Sequence, residues 1–222
     1  MKPTRHIIVD LETLDTQPSA VILTAGLVAV EITETECITL GSWYRPFLWD
    51  HPQHNQSGRS TSQDTADWWG NQSDEALSEA FCNDYDALPI SIALHSLNVW
   101  LQLNPYPIWG NGSDFDNAVL QHAFKQQGLR WPYWRNCCLR STKNLAKQLG
   151  LQVEMPEWPA GKIKHHALHD AEHEALMLAA LLRAFTEQNR IYVTIPAPIL
   201  KLEIADAAEL VNLIISEQKG AA

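Results

Sequence analysis

The start of the chain contains three runs of apolar, mostly branched residues, at positions 6–10, 20–31 and 38–47. Each run is short enough to be a strand, and only a few polar residues separate the last two. This arrangement predicts an antiparallel β-meander. Gly26 interrupts the second run, and a glycine inside a strand indicates a bulge or the close approach of another backbone.

After residue 62 the pattern changes to helical periodicity with one short strand-like segment. Helices are predicted over residues 63–82 with a break at 71–73, and over 90–103, 115–127, 139–149 and 166–186, with a strand at 106–109. Gly150 is the expected C-cap of the helix at 139–149. The predicted fold class is α/β, with a mixed central sheet, three antiparallel N-terminal strands and helices on both faces.

Two parts of unequal length are expected along the chain. Residues 1–186 are predicted to form one domain that carries the chemistry. Residues 187–222 are predicted to be a C-terminal extension, packed on the domain or at a subunit interface. The extension contains a strand-like run at 191–196 and a helical pattern near 205–217.

The formal net charge of −10, from 16 basic and 26 acidic residues, restricts the kinds of partner. Proteins that hold long duplexes by charge alone are usually basic, so this composition argues against a DNA-coating role. It permits an enzyme that takes one chain end into a small site. The four cysteines show no CxxC zinc spacing and are expected to be reduced thiols. Because no apolar run is long enough for a secretory or membrane segment, the predicted location is the cytoplasm.

The first chemical signal is the triplet Asp10-Leu11-Glu12, which follows the apolar residues 7–9. Alternate residues of a strand point to the same face, so Asp10 and Glu12 project together. Two close carboxylates repel each other unless a cation neutralises them. Such a triplet alone is usually a solvated strand end. Here an apolar strand delivers it to an open sheet edge, where α/β enzymes bind ligands.

A second acidic pair, Asp114 and Asp116, lies where the strand at 106–109 passes through a glycine turn into a helix. Carboxylates in the first turn of a helix often serve as caps, and Asp114 is the candidate N-cap. One of the two acids can cap the helix while the other binds a metal ion.

The third signal is the segment His165-His-Ala-Leu-His-Asp170, at the start of the helix predicted over 166–186. His165 is expected on the preceding loop, and Asp170 in the first turns of the helix. A histidine on that loop can reach a water molecule beside a metal ligand. Its ordinary pKa of about 6.5 suits proton transfer near neutral pH.

Together these segments resemble the DEDDh exonucleases, a branch of the RNase H-like superfamily that includes the proofreading subunit of bacterial DNA polymerase III, RNase T and oligoribonuclease. The resemblance rests on V-D-L-E-T at 9–13, N-G-S-D-F-D at 111–116 and H-x-A-L-x-D-A at 165–171, and it spans roughly residues 6–186. The pair Trp68-Trp69 with Gln72, and W-G-N-G at 109–112, are similar to a phage and bacterial subfamily of 3′–5′ exoribonucleases and exodeoxyribonucleases. Asp114 departs from the family pattern, in which that position is small or neutral, so the resemblance assigns the metal role to Asp116.

The resemblance implies an RNase H-like fold and hydrolysis of single-stranded DNA or RNA from a free 3′ end, releasing nucleoside 5′-monophosphates. It also implies two divalent ions, Mg²⁺ or Mn²⁺. Asp10, Glu12 and Asp170 would hold one ion, Asp10 and Asp116 the second, with His165 as general base. The implied substrate contacts are Thr13, Leu14, Trp69 and Gln72. Members of the family often dimerise, so a homodimer is a further expectation, and no membrane contact is expected.

Other interpretations fit parts of the sequence. A non-catalytic nucleic-acid- or partner-binding module would be expected to lack a metal carboxylate or the histidine, but all five positions are filled. His169-Asp170 matches the adjacent pair of an HD-type phosphohydrolase, although that fold is all-helical. His169 and His173, spaced to share a helix face, could hold a structural zinc ion. In the simplest interpretation, His166, His169 and His173 are solvated surface residues.

Overall fold

The structure, a computed structural model, describes residues 1–49, 56–82 and 86–193, with side chains up to residue 188. The chain divides into two compact units, Met1–Phe185 and Thr186–Ala222. The sheet, the helices that cover it and the candidate site belong to the first unit. Of the second unit, the structure describes only residues 186–193, which end the last helix.

In the described part of the chain, five strands form one mixed sheet in the order β3-β2-β1-β4-β5. The strands are β1 Thr4–Thr13, β2 Ile22–Ile32, β3 Cys37–Pro46, β4 Ile108–Gly110 and β5 Asn136–Cys138. The first three pair antiparallel, and β4 and β5 continue the sheet parallel to β1. β1 is therefore central, and its middle residues, 7–9, pair with β4.

The helices lie on both faces of this sheet. They are α1 Gln63–Trp69, α2 Asp74–Ala80, α3 Ile90–Leu103, α4 Asp116–Gln126, α5 Leu139–Gln148 and α6 Ala167–Val193. Ser62 and Ser73 are the N-caps of α1 and α2, and each side chain accepts a hydrogen bond from a backbone amide of the first turn. These two caps explain the break at 71–73, which the sequence predicted.

Alternation along β1 divides its side chains between two cores. Ile7, Val9 and Leu11 pack with α3 and α4 on one face, and Ile8 packs with α5 and α6 on the other. Asp10 and Glu12 share the alternation of Ile8. Both acids therefore lie on the face covered by α6.

The predicted fold class is confirmed, with three antiparallel strands at one side of the sheet and helices on both faces. The sequence did not indicate β5, because a three-residue strand with two adjacent cysteines has no visible alternation. The strand-like prediction at 191–193 was wrong, since α6 continues to Val193. Residues 186–190 contain no glycine or proline, and extending a helix costs less than starting a new element.

Some predictions concern residues outside the described ranges. They are the rest of the strand-like run at 194–196 and the helix near 205–217. Within the described ranges, no helix has both the length and the apolar character needed to cross a membrane. No disulfide joins the four cysteines, all of which lie within the described ranges.

Candidate active site

The acidic pair of β1 meets α6 because of a close contact with β2. Gly26 is the β2 residue directly opposite Asp10. A Cβ at Gly26 would lie 2.3 Å from the backbone nitrogen of Leu168 and 2.4 Å from the carbonyl carbon of Ala167. The first turn of α6 therefore rests on the backbone of β2, which is the close approach predicted from the sequence. The contact brings Asp170, in the same first turn of α6, to Asp10.

Asp10, Glu12 and Asp170 form a compact cluster in which carboxylate oxygens of all three lie within 4.8 Å of one another. Burial, followed by the charge of a neighbouring acid, raises the pKa of Asp10 and that of Glu12 well above their ordinary ranges. Burial also raises the pKa of Asp170 to about 6, against the opposing effect of nearby backbone amides. Three carboxylates so close together and so poorly solvated favour a bound cation or retained protons.

Asp116 is the first residue of α4 and approaches the cluster from the β4 side. A Cβ at Gly110 would lie 2.8 Å from Oδ2 of Asp116, and Gly110 pairs with Val9, the residue before Asp10. Asp116 is not within 4.8 Å of all three clustered acids, yet after burial its charge contributes to the raised pKa values of Asp10 and Glu12. Burial raises its own pKa to about 7, and its Oδ1 has no hydrogen-bond partner.

Asp114 is not the N-cap of α4, so that expectation was wrong. Phe115 occupies the cap position, and no side chain makes a capping hydrogen bond there. Gly112, with φ of 152°, turns the chain before the helix. Oδ1 of Asp114 lies 3.1 Å from where a Cβ of Gly112 would be, and thus belongs to the turn.

His165 lies just before α6 with φ of 61°, a left-handed conformation that residues other than glycine seldom adopt. Its ring makes edge contacts with Trp68 and Trp69, with centroid distances of 4.9 and 6.4 Å. Burial, and secondly the charge of Lys164, lowers the pKa of His165 below its ordinary value. The imidazole is therefore mainly neutral at pH 7 and can accept a proton.

A cavity of about 370 Å³ opens beside Glu12. Its lining consists of Glu12, Thr13, Thr16, Asp64, Thr65, Trp68 and Trp69. Trp69 is only 2% exposed, and its Nε1 donates a hydrogen bond to the carbonyl oxygen of Thr13 at 2.9 Å. A ring so buried offers a base almost no surface for stacking, although Trp69 lines the cavity, and its contact with the substrate stays a prediction. Trp68 is 43% exposed and offers the accessible ring.

The other three expected substrate contacts lie near this cavity but serve the fold as well. Thr13 is buried, and its Oγ1 donates to the carbonyl oxygen of Asp15. Leu14 packs against the small apolar cluster that contains Trp69. Gln72 donates from Nε2 to the carbonyl oxygen of Trp68. Their role in substrate binding stays a prediction.

The neighbouring histidines are packed against other rings, contrary to the solvated interpretation. His166 stacks between Tyr44 and His169, with centroid distances of 4.6 and 3.9 Å. His173 is 7% exposed and lies against Trp158. Among the described residues, no group of three potential ligands within 4.8 Å includes a histidine. The zinc interpretation therefore gains no support, and the five-stranded sheet excludes an all-helical HD-type fold.

Glu174 is a further buried acid that the sequence interpretation missed. It lies one helical turn beyond Asp170, is 6% exposed, and has no partner for Oε2. Burial, followed by the charge of Asp116, raises its pKa to about 8. The i, i+4 spacing from Asp170 was the available signal, because such residues share a helix face.

Comparison with solved structures shows nucleases with the same RNase H-like fold. The metal-free E. coli exonuclease I–single-stranded DNA complex matches with a TM-score of 0.59 and 15% identity, covering 85% of this chain and 41% of that one. The nuclease domain of 3′hExo, a DEDDh family member bound to rAMP, matches with a TM-score of 0.51 and 12% identity, covering 82% and 93%. Cell-death related nuclease 4 (CRN-4) matches with a TM-score of 0.53 and 12% identity, covering 83% and 64%.

The chain thus spans less than two thirds of exonuclease I and of CRN-4, but nearly all of the 3′hExo nuclease domain. No curated protein matches the sequence significantly. The family model of the 3′–5′ exoribonuclease Rv2179c-like domain matches residues 5–182, which include the carboxylate cluster, Asp116, His165 and Glu174. The chain therefore belongs to the Rv2179c-like 3′–5′ exoribonuclease family.

Proposed function

We propose that this protein is a 3′–5′ exonuclease that hydrolyses single-stranded nucleic acid from a free 3′ end with two divalent ions, Mg²⁺ or Mn²⁺. The products are nucleoside 5′-monophosphates. The observation that carries this proposal is the cluster of Asp10, Glu12 and Asp170, in which Glu12 is buried and the two aspartates are partly buried. Their carboxylate oxygens lie within 4.8 Å of one another, and His165 is nearby in the chain.

The donor set fits a hard divalent cation. All the clustered ligands are carboxylate oxygens, the type that Mg²⁺ and Mn²⁺ prefer. Oδ2 of Asp170 and Oδ1 of Asp116 are buried without hydrogen-bond partners. Asp10, Glu12 and Asp170 would hold one ion, and Asp10 with Asp116 the second. Ions bound there would stabilise the negative charge on the attacking and leaving oxygens.

His165 is proposed to take the proton from the attacking water. Burial and Lys164 favour its neutral form, which is the form a general base requires. Contacts with Trp68 and Trp69 restrict the ring. The left-handed backbone lets the residue turn away from the helix that begins two positions later.

The cavity beside Glu12 is the proposed seat of the terminal nucleotide, with Thr13 and Trp69 in its lining and Leu14 and Gln72 as further substrate contacts. Trp68, the more exposed of the two rings, is proposed to stack on the base. Residues 1–186 are proposed to form the exonuclease domain, with 187–222 as an extension packed on this domain or at the interface of a homodimer. No disulfide joins the four cysteines, which supports a reducing compartment such as the cytoplasm.

The test is a gel assay with 5′-labelled single-stranded RNA and DNA oligomers in Mg²⁺, Mn²⁺ or EDTA. A ladder that shortens from the 3′ end with metal and is absent with EDTA is expected, and Asp10→Asn should abolish it. His165→Ala should slow cleavage by about 10²–10⁴-fold. His169→Ala is the control, because His169 stacks on His166 and accepts a hydrogen bond from the backbone of Ile163. Absence of cleavage with either metal and either substrate would favour a non-catalytic binding module.

A further inference from the structure

Glu174 is not accounted for by the two-ion arrangement proposed above. It lies on the face of α6 that carries Asp170, and α6 is held against β2 at Gly26. The charge of Glu174 contributes to the raised pKa of Asp10, after burial and the charges of Glu12 and Asp116. Glu174 is not within 4.8 Å of all three clustered acids, but it is buried one helical turn from Asp170 on the same face of α6, so its carboxylate borders the acidic centre.

A purely structural role for a buried Glu174 would require neighbouring groups that compensate its charge. Its surroundings do not provide them. Its Oε2 is buried without a hydrogen-bond partner, although the side chain of Asn111 acts on the carboxylate as a hydrogen-bond partner. Lys143 lies close enough to oppose the raised pKa, but the described residues contain no ion pair within 4.0 Å between Lys143 and Glu174. A buried carboxylate without a paired cation is costly.

Asp116 shares this lack of a hydrogen-bond partner. Its Oδ1 is also buried without a partner, and among charged groups its carboxylate has the strongest effect on Glu174. Asp116 reaches the centre from α4 and Glu174 from α6, and both contact Asn111, which bonds Asp116 through its backbone and Glu174 through its side chain. A divalent cation shared by the two would satisfy both oxygens.

We propose that Glu174 is a fifth carboxylate of the metal centre and that it helps Asp116 to hold the second divalent ion. This inference rests on the proposed two-ion function. It makes Glu174 a positioning residue for that ion, while Asp10, Glu12 and Asp170 hold the first ion without it.

The test is isothermal titration of the full chain with MnCl₂, comparing wild type, Glu174→Gln and Glu172→Gln. Glutamine keeps the shape of the side chain and the contact with Asn111 but removes the charge. Glu172 is the matched control, because it lies on the same helix and pairs with Lys162 at 2.7 Å on a partly exposed surface. Wild type and Glu172→Gln should bind two ions. Glu174→Gln should keep the first and bind the second about 10–100-fold more weakly.

Two results would overturn the inference. One is that Glu174→Gln binds both ions as wild type does. The other is that a folded Glu174→Gln, judged by circular dichroism, loses both ions as Asp10→Asn does. If wild type itself binds no Mn²⁺ and cleaves nothing, the proposed function fails, and that result is distinct because it does not depend on position 174.

Glu174→Asp covers the case in which the glutamine variant does not fold. Aspartate keeps the charge but retracts the carboxylate by one methylene, so second-ion affinity should fall between those of wild type and Asp116→Asn. Second-ion affinity equal to that of wild type in Glu174→Asp, together with normal loss in Asp116→Asn, would contradict a role for the Glu174 carboxylate in holding that ion.

Discussion

Trp68 and Trp69 are adjacent in the sequence, yet one ring is 43% exposed and the other 2%. Their edge-to-face contact, with centroids 4.9 Å apart, joins the surface of the cavity to the core beneath it. Trp69 also packs edge-on against Phe81. Trp68 therefore offers an accessible ring for the substrate, whereas Trp69 supports the fold.

The first prediction follows from this division. Trp68→Ala should weaken binding of a labelled single-stranded oligomer by about 1–3 kcal/mol, the usual contribution of a base-stacking ring, with little change in stability. Trp69→Ala should lower the free energy of unfolding by about 3–5 kcal/mol, because it empties a core position. Fluorescence anisotropy in EDTA and urea denaturation measure the two effects. Equal binding losses in two equally stable variants would contradict the assignment.

Lys164 gives a second prediction, on the pH dependence of cleavage. After burial, its charge is the cause of the lowered pKa of His165. The neutral imidazole is the active form, so kcat/KM rises with pH through that pKa. Lys164→Gln removes the charge, raises the pKa of His165 and should move the acid limb to higher pH. Lys147→Gln, at the exposed end of α5, should leave the profile unchanged. An acid limb shared by all three proteins would show that His165 does not set it.

At this scale the sequence predicted residue types better than their surroundings. Sequence motifs identify each of the five proposed catalytic residues individually: Asp10, Glu12, Asp116, His165 and Asp170. Which of Trp68 and Trp69 is buried depends on which side of α1 packs on the core. Two adjacent tryptophans in a sequence do not indicate that side. Glu174 belongs to no sequence motif, and its burial depends on how α6 packs on the sheet.

At the scale of elements, the contact between β2 and α6 sets the geometry of the site. Gly26 leaves no room for a side chain, because the backbone atoms of residues 167 and 168 lie 2.3–2.5 Å from the position of its Cβ. A methyl group there must move backbone, which cannot shift as cheaply as a flexible side chain. Since Asp170 follows two residues later on the same helix, any such movement separates it from Asp10.

The third prediction is therefore a coupled loss of stability and metal binding in Gly26→Ala. Overpacking should cost about 1–3 kcal/mol of unfolding free energy. Manganese affinity should fall with it, because α6 moves away from β1. Gly41→Ala in β3 is the matched control, since a Cβ there has nothing within 4 Å. Thermal denaturation and MnCl₂ titration measure the two properties. Wild-type metal binding in Gly26→Ala would mean that α6 is not positioned by this contact.

Most elements could be predicted from periodicity, since the meander, α3 and the break between α1 and α2 have strong local signals. Gly26 was flagged by its place in an apolar strand, although the sequence could not say which backbone approaches it. β5 exists because β4 offers an open edge, and that is a tertiary cause. Asp114 failed as a cap because Gly112 reverses the chain before α4 begins.

At the scale of the whole molecule, the acidic centre connects stability to pH and metal. Burial is the first cause of the raised pKa values of Asp116, about 7, and Glu174, about 8, against ordinary values of 3.8 and 4.5. Near neutral pH the folded, metal-free protein therefore retains protons that the unfolded chain has released. The free energy of unfolding should fall as pH rises through this range. A bound divalent ion replaces those protons and should remove the loss.

The fourth prediction isolates this effect by comparing melting temperatures of wild type and Glu174→Gln between pH 6.5 and 8 in EDTA. Histidines, whose unfolded pKa is about 6.5, titrate at the lower end of this range, but they are the same residues in both proteins. The lowered pKa of Cys138, about 7, acts equally in both proteins. As pH rises, the melting temperature of Glu174→Gln should increase relative to that of wild type, because only wild type must ionise Glu174. In Mn²⁺, wild type should have the higher melting temperature, since the ion stabilises the intact acidic centre more than that of the variant. A difference that stays constant with pH would mean that Glu174 is already ionised in the folded, metal-free protein at pH 6.5.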